Sequence, residues 1–494
     1  MRRVPLLSGS RVVLVPVEGD DEIVRPPPPP AHAVDVAAAV RDALRFPLSG
    51  PPLEAAATRG GRATIVVEPP ALPVPGAQAD PRPAALAEAM RALELAGVRN
   101  ERQTILVAAG LARRAGQREL ERLLPPPEAR AFRGRVLVHD AEDDDLVPVG
   151  GGARVHRSLV ETDLVLVVGA AETALHGGPA TLTRACDAAT ARRAASATSL
   201  LEAARAPAWG LALELESALA ARVPLVGVSL VLDLPRLTGA FRGYPHDLDD
   251  VRRVGRSWTR ALASRAPGSL RRALLEAQSR RLDATAAFAA RPSVAHAEAL
   301  VRGVELRGAR LTEPVDALVV PIPWNGPHVP REPVNPVTAA AIALGLVLRL
   351  HRGAFPVAHG GTLVLLHSFS RSFGRGEAPY ATMLAALRAA GGRHELHALE
   401  LAAGRDERAL AEYRGGRACH PLLPYADWAG CAPALEHLGR VVVAGCRDAT
   451  AARALGVVPS HSVSSALEMA HGVAGGRARV GILLAPPYPP LLVG

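Results

Sequence analysis

The sequence contains no lysine: all 57 residues of its combined lysine and arginine count are arginine. That absence removes every chemistry that needs a primary side-chain amine, including Schiff bases, lysine-tethered cofactors, lysine general bases and the phosphate lysine of a P-loop. Arginine does not substitute, because its guanidinium stays protonated in proteins. A GC-rich coding bias explains both the lack and the surplus of Ala, Arg, Gly and Pro, but the chemical exclusion holds whatever its origin. Aromatic residues make up only 3% of the chain, which leaves little for stacking nucleic-acid bases. The net charge is +9, yet the arginines are scattered among 48 acidic residues, so a mixed solvated surface is expected and no nucleic-acid partner. There are four cysteines, Cys186, Cys419, Cys431 and Cys446, and no C-x-x-C pair. They are too few for a disulfide scaffold and wrongly spaced for zinc, and they read as buried thiols in a reducing compartment. Long apolar runs are missing too. The longest without proline, residues 339–348, is halted by Arg349, well short of a membrane span. Residues 1–10 hold two arginines but no apolar run long enough for a signal peptide. The expectation is a cytoplasmic protein with no membrane partner; the oligomeric state is not readable.

What is present is an alternation. Short β-branched runs (residues 11–17, 63–67, 104–108, 135–139, 163–168, 224–232, 316–321, 362–366, 440–444 and 479–484) alternate with Ala/Leu/Arg-rich segments at helical spacing. The latter include residues 34–44, 82–96, 118–123, 336–350, 381–390 and 464–471. Nearly continuous apolar strands separated by helices predict an α/β fold with mainly parallel sheets flanked by helices. Five prolines, residues 26–30, form a stiff spacer after the first strand. Between residues 245 and 307 the text turns to mixed-charge helical periodicity, at 247–264, 268–289 and 293–303. This stretch predicts a boundary between an N-terminal domain, residues 1–290, and a C-terminal one, residues 291–494, with a cleft between them.

Several polar groups fall where such folds place ligands, at the carboxyl ends of strands. His139-Asp140 follows the run at 135–138 and leads into an acidic loop with Glu142 and Asp143 to Asp145. Gly169 ends another run and leads to Glu172, then His176-Gly177-Gly178, where a glycine pair lets backbone amides approach a ligand. In the C-terminal half, Trp324-Asn325-Gly326-Pro327-His328 with Arg331 and Asn335 forms the most informative polar loop. Arg371 and Arg375, among Ser368, Ser370 and Ser372, sit in a loop able to clamp an anion. For each of these the plainer alternative is a structural turn or a satisfied side chain. Gly150 to Gly152 reads as a flexible turn, and His394-Glu395-Leu396-His397 as a solvated helix face without a third metal ligand.

The order of these landmarks resembles the nickel-pincer lactate racemase family of 2-hydroxy-acid racemases and epimerases. The resemblance runs from Ala39-Val40-Arg41-Asp42-Ala43-Leu44, Pro47 and Pro51-Pro52-Leu53 through residues 65–68, Gly97-Val98, 105–110, Glu119-Leu120 and His139-Asp140. It continues through residues 163–169, Glu172, Gly177-Gly178, Val231-Leu232-Asp233 and 239–243, then 314–320, 360–366 and 466–487. It covers nearly the whole chain, although no single motif is complete. In the family, a nickel cofactor tethered through a lysine accepts a hydride from a 2-hydroxy acid and returns it to the other face. Paired histidines handle the hydroxyl proton.

The departures fall on that machinery. Where the family has Asp-x-Thr-Arg-Pro, this chain has Glu68-Pro69-Pro70-Ala71-Leu72, without the substrate-binding arginine. Ala112 and Ala174 stand at two family histidines, Ala180 stands at the cofactor lysine, and the glutamine and lysine expected around residues 335–341 are missing. Losing one proton-transfer group typically costs ~10²–10⁴-fold. The expectation is therefore a non-racemising member that binds a small anionic metabolite or a partner, with no cofactor. Candidate ligand residues are His139, Asp140, Glu172, His176, Gly177, Gly178, Asn325, His328, Arg331, Asn335 and Arg371. The alternative is an active isomerase or oxidoreductase with a differently held cofactor and His139 or His176 as proton carrier; a third reading is a purely structural subunit.

Overall fold

A computed structural model describes residues 2–30, 32–69, 77–257, 265–276, 280–323, 334–374, 376–391, 396–473 and 478–494. The chain opens with an antiparallel hairpin, β1 (Arg2–Ser8) and β2 (Arg11–Val17), followed by a short strand, β3 (Glu22–Val24). A first six-stranded sheet then forms from β4 (Ala63–Val67), β5 (Gln103–Val107), β6 (Arg135–Val138), β7 (Leu164–Ala170), β8 (Leu225–Leu232) and β9 (Ala284–Ala290). Its spatial order is β9-β8-β7-β4-β5-β6, parallel throughout except for the antiparallel edge strand β9. A second sheet contains β10 (Val315–Pro321), β11 (Val357–Leu366), β12 (Arg440–Ala444), β13 (Val458–Ser460) and β14 (Val480–Leu483). Its order is β13-β12-β11-β10-β14-β3, all parallel. This is the α/β architecture the alternation predicts.

The strands are apolar on both faces because helices cover both. In β4 all five residues are buried; Ile65 and Val67 belong to one apolar cluster with Leu86 and Leu93 of the helix Pro81–Leu95, whereas Val66 faces Leu182, Leu215 and Leu219. In the second sheet one face is shared between a helix and the hairpin: Val319, Val364 and Val442 cluster with Val4, Leu6 and Val15 of the hairpin and with Ala466 and Leu467 of the helix Val463–Val473.

Four expectations change. The stretch 268–289 is helical only at Gly268–Glu276; the alanine-rich Ala284–Ala290 is a strand, its helix propensity overridden by pairing with β8 from Gly227 to Leu232. The helix expected at 336–350 breaks into an α-turn at Pro336–Ala340, a π-helical stretch at Ala341–Leu346 and a 3-10 turn at Val347–Arg349. The prolines at 26–30 follow the third strand, and the two sheets do not divide the chain into two consecutive pieces. β3 hydrogen-bonds β14, so residues from the start of the chain complete the sheet built from its end. Among the described residues, no helix is long and apolar enough to cross a membrane.

Candidate ligand site at the seam between the sheets

In the first sheet the strand order reverses between β4 and β7, since β5 and β6 lie to one side of β4 while β7 and β8 lie to the other. In open α/β sheets, ligands bind outside the carboxyl ends at such a switch point. Here those ends carry Glu68, just after β4, and the segment from Ala171 to Gly178 after β7. The Glu68 carboxylate accepts hydrogen bonds from the Gly177 amide (2.9 Å) and the Thr181 hydroxyl (2.7 Å) and pairs with Arg184 at 3.5 Å. The glycines are required by space. A Cβ on Gly178, whose φ is +53°, would stand 2.4 Å from His296 Cβ, and one on Gly177 would stand 2.2 Å from the Ala170 carbonyl.

His176 hydrogen-bonds through Nδ1 to the Thr173 hydroxyl at 2.9 Å, and His296 donates from Nε2 to the Thr173 carbonyl at 2.9 Å. Burial pushes His296 down to about 4, and it pushes His176 well below its usual value, helped by the positive charges of Arg184 and Arg349. Both imidazoles are therefore neutral at physiological pH. One turn earlier, Glu172 accepts from Arg307 Nη1 at 2.7 Å; their side chains are 9% and 3% exposed. Burial raises the Glu172 carboxyl while Arg307 pulls it back. Glu172 is thus committed to an internal ion pair.

The second sheet contributes the opposite wall. Leu200 N–H donates to the Arg349 carbonyl and Ser199 to that of His351, fixing the turn ending in Arg349 against the segment after β7. Arg349 is 3% exposed, and its Nη1 donates to the carbonyls of Gly345 (3.2 Å) and Gly430 (3.1 Å). Its Nε and Nη2 are buried with no partner, and burial lowers its pKa to about 10. Nearby, Tyr380 donates to Asp427 at 2.5 Å, and burial raises that carboxyl to about 6 against the pull of Tyr380, Arg184 and Arg192. Beside this polar cluster the seam is apolar: Ala171, Ala174 and Leu200 share one core cluster with Ile342, Leu346 and Leu350.

The acidic loop lies on a different part of the seam and is occupied. His139 is fully buried, donates from Nε2 to the Cys186 carbonyl at 2.8 Å, and is held down to about 4 by burial. Asp140 pairs with Arg114 (3.2 Å) and caps Glu142 N–H (2.9 Å). Glu142 accepts from His420 (3.0 Å), while the Tyr413 hydroxyl donates to the Gly110 carbonyl and accepts from the Ala141 amide, both at 3.0 Å. With Arg192–Glu400 at 2.5 Å, these contacts clasp residues 396–429 onto the first sheet's loops. His139 and Asp140 are therefore not brought together with His176, Gly177 and Gly178.

The remaining candidates divide. Asn335 is fully buried and caps its own helix, accepting from Thr338 N–H at 2.9 Å and donating to its hydroxyl at 2.8 Å. Arg371 is half exposed and ion-pairs with Asp448. Asn325, His328 and Arg331 lie outside the described residues, as do Arg375, His394 and Glu395. Sequence reasoning missed Glu68 as a carboxylate cradle, and also Arg184, His296 and Arg349. The signal for Arg349 was there: a lone charge between Leu348 and Leu350 at the end of an apolar run. A cavity of about 400 Å³ sits at the amino ends of β4 and β5, but its Arg62, Arg102, Arg135 and Arg157 are matched by Glu101, Asp143, Asp145 and Glu161. It has no charge excess to favour an anion. Among the described residues, no group of three or more His, Cys, Asp or Glu is placed to hold a metal ion.

The fold and seam thus define a two-sheet α/β protein with polar residues gathered at the carboxyl ends of the central strands β4 and β7 of the first sheet. Residues 9–178 match the lactate racemase N-terminal domain. The whole chain shares the fold of the lactate racemase apoprotein from Thermoanaerobacterium thermosaccharolyticum, at 14% identity and a TM-score of 0.59, with 98% of each chain covered. A structural-genomics protein from Thermotoga maritima is similar at 12% identity and a TM-score of 0.49, over 92% of this chain and 97% of that one. No curated protein matches the chain.

Proposed function

We propose that this lactate racemase-like protein does not racemise and instead binds a small anionic ligand at the seam between its sheets. The observation that carries the reading is the make-up of the switch point. The glycine pair packs against His296 and follows His176, both neutral; Arg184, paired with Glu68, and Arg349, across the seam, add their charge to burial in lowering the His176 imidazole. Ala180, at the position the resemblance gives to the cofactor lysine, is 4% exposed in the first turn of its helix and has no amine to offer. The residues present do not fit a lysine-tethered cofactor. His176 and His296 do not replace the family's proton carriers either. Each holds a hydrogen bond to Thr173, and burial suppresses protonation of both.

A second reading, a structural subunit, is favoured by the apolar half of the seam. Native mass spectrometry with elemental analysis, on protein from its own host, separates the readings. A co-purifying carboxylate or phosphate supports the first, and a bare chain the second. Stoichiometric nickel, with interconversion of the lactate enantiomers or of another 2-hydroxy acid, refutes both.

A further inference from the structure

Arg349 is set up differently from every other arginine discussed above. Its Nη1 is held by two backbone carbonyls, so the plane of the guanidinium is fixed before any ligand arrives. Gly430 makes this possible, since a Cβ there would stand 2.7 Å from Nη1. The two nitrogens left over, Nε and Nη2, form the side-on edge whose N–H bonds point the same way, the geometry that takes two oxygens of a carboxylate or phosphate in parallel. Among the described residues, no carboxylate hydrogen-bonds or ion-pairs with that edge, and neither nitrogen reaches solvent. A charge buried without a counter-ion is costly, and this one ends a helix that passes through a π-helical stretch, a distortion frequent at functional sites. Its charge reaches His176 across the seam.

We propose that the Nε/Nη2 edge of Arg349 is the anchor for a small oxyanion, a carboxylate or a phosphate group, taken up between the sheets when they part. This rests on the anion-binding reading above and names the residue that does the binding. Because the edge is enclosed, uptake requires the seam around it to open, and the bound anion then helps hold the sheets together.

The test is calorimetric titration of the full chain with sodium acetate and, separately, with inorganic phosphate, alongside thermal melts. The wild-type protein should bind one of the two probes, which identifies the source of the oxyanion, and should melt higher in its presence. Arg349→Lys keeps the charge but loses the paired donors, and should bind roughly 10- to 100-fold more weakly, the worth of a charge-assisted hydrogen bond or two. Gly430→Ala, which displaces the guanidinium without removing it, should weaken binding in the same direction. Should Arg349→Gln fold and bind as well as the wild type, the anchor is wrong while anion binding stands. If the wild type binds neither probe, the anchor and the anion-binding reading both fall.

Discussion

The buried pair Glu172–Arg307 offers the cleanest test of how the seam is held. At 2.7 Å and almost fully enclosed, it joins the segment after β7 to the helix Pro292–Arg307. Arg307 donates further to the carbonyls of Ala171 (3.2 Å) and Gly303 (3.0 Å). Removing one partner of such a pair leaves an uncompensated charge and costs about 3–5 kcal/mol, a large part of a total stability of roughly 5–15 kcal/mol. Arg307→Met should therefore be strongly destabilised in urea or thermal unfolding. Its loss should also depend on pH with a definite sign. Burial already raises the Glu172 carboxyl, and without Arg307 it rises further. An acid whose native value exceeds its unfolded one adds stability at low pH that is lost as pH rises towards the native value. The penalty in Arg307→Met should thus grow with pH, by about 1.4 kcal/mol per unit within that window. Glu172→Met/Arg307→Met removes both charges and should recover most of the loss, less about 1–3 kcal/mol for the unpaired Ala171 carbonyl. A double variant no more stable than the worse single one, or a pH-independent penalty in Arg307→Met, would refute the reasoning.

Other consequences are equally direct. His139, His296 and His367 are each held to about 4 by burial. Each contributes on the order of 3 kcal/mol that is present above the ordinary histidine value and lost as pH falls through about 4, so the chain should unfold progressively between pH 6.5 and 4, as circular dichroism would record. Gly178→Ala places a side chain on a φ of +53° and against His296, and should lower the melting midpoint by an amount equivalent to at least about 2 kcal/mol. Tyr413→Phe deprives the Gly110 carbonyl and the Ala141 amide of their partner. It should cost about 1–3 kcal/mol and speed hydrogen exchange in the loops around residues 110 and 141.

Much of the fold was legible because parallel strands buried on both faces carry their own signature. The runs at 63–67 and 440–444 coincide with β4 and β12. What escaped depends on contacts remote in sequence. Ala284–Ala290 reads as helix because alanine favours it locally, and only pairing with β8 makes it a strand. At the site, the glycine pair announced itself through its sequence and stands at the switch point. His139-Asp140 announced itself equally, but its groups are consumed by Cys186, Arg114 and the clasp. Strand-end position marks where polar side chains gather; it does not tell a free side chain from one already satisfied by a distant partner. Arg349 shows the converse, a residue read only as the end of an apolar run whose unpaired edge becomes visible once Gly345 and Gly430 surround it.

The pairing of β3 with β14 has a consequence for how the protein is made. Glu22, Ile23 and Val24 lie opposite Gly481, Ile482 and Leu483, so the ribosome releases one half of this ladder hundreds of residues before the other. Among the described residues the first sheet holds no strand later than Ala290, and it is free to consolidate while synthesis continues. The leading segment has no such early home. Until β14 emerges, it must wait as an unpaired edge, the part of the nascent chain most in need of shielding from chance strand pairing.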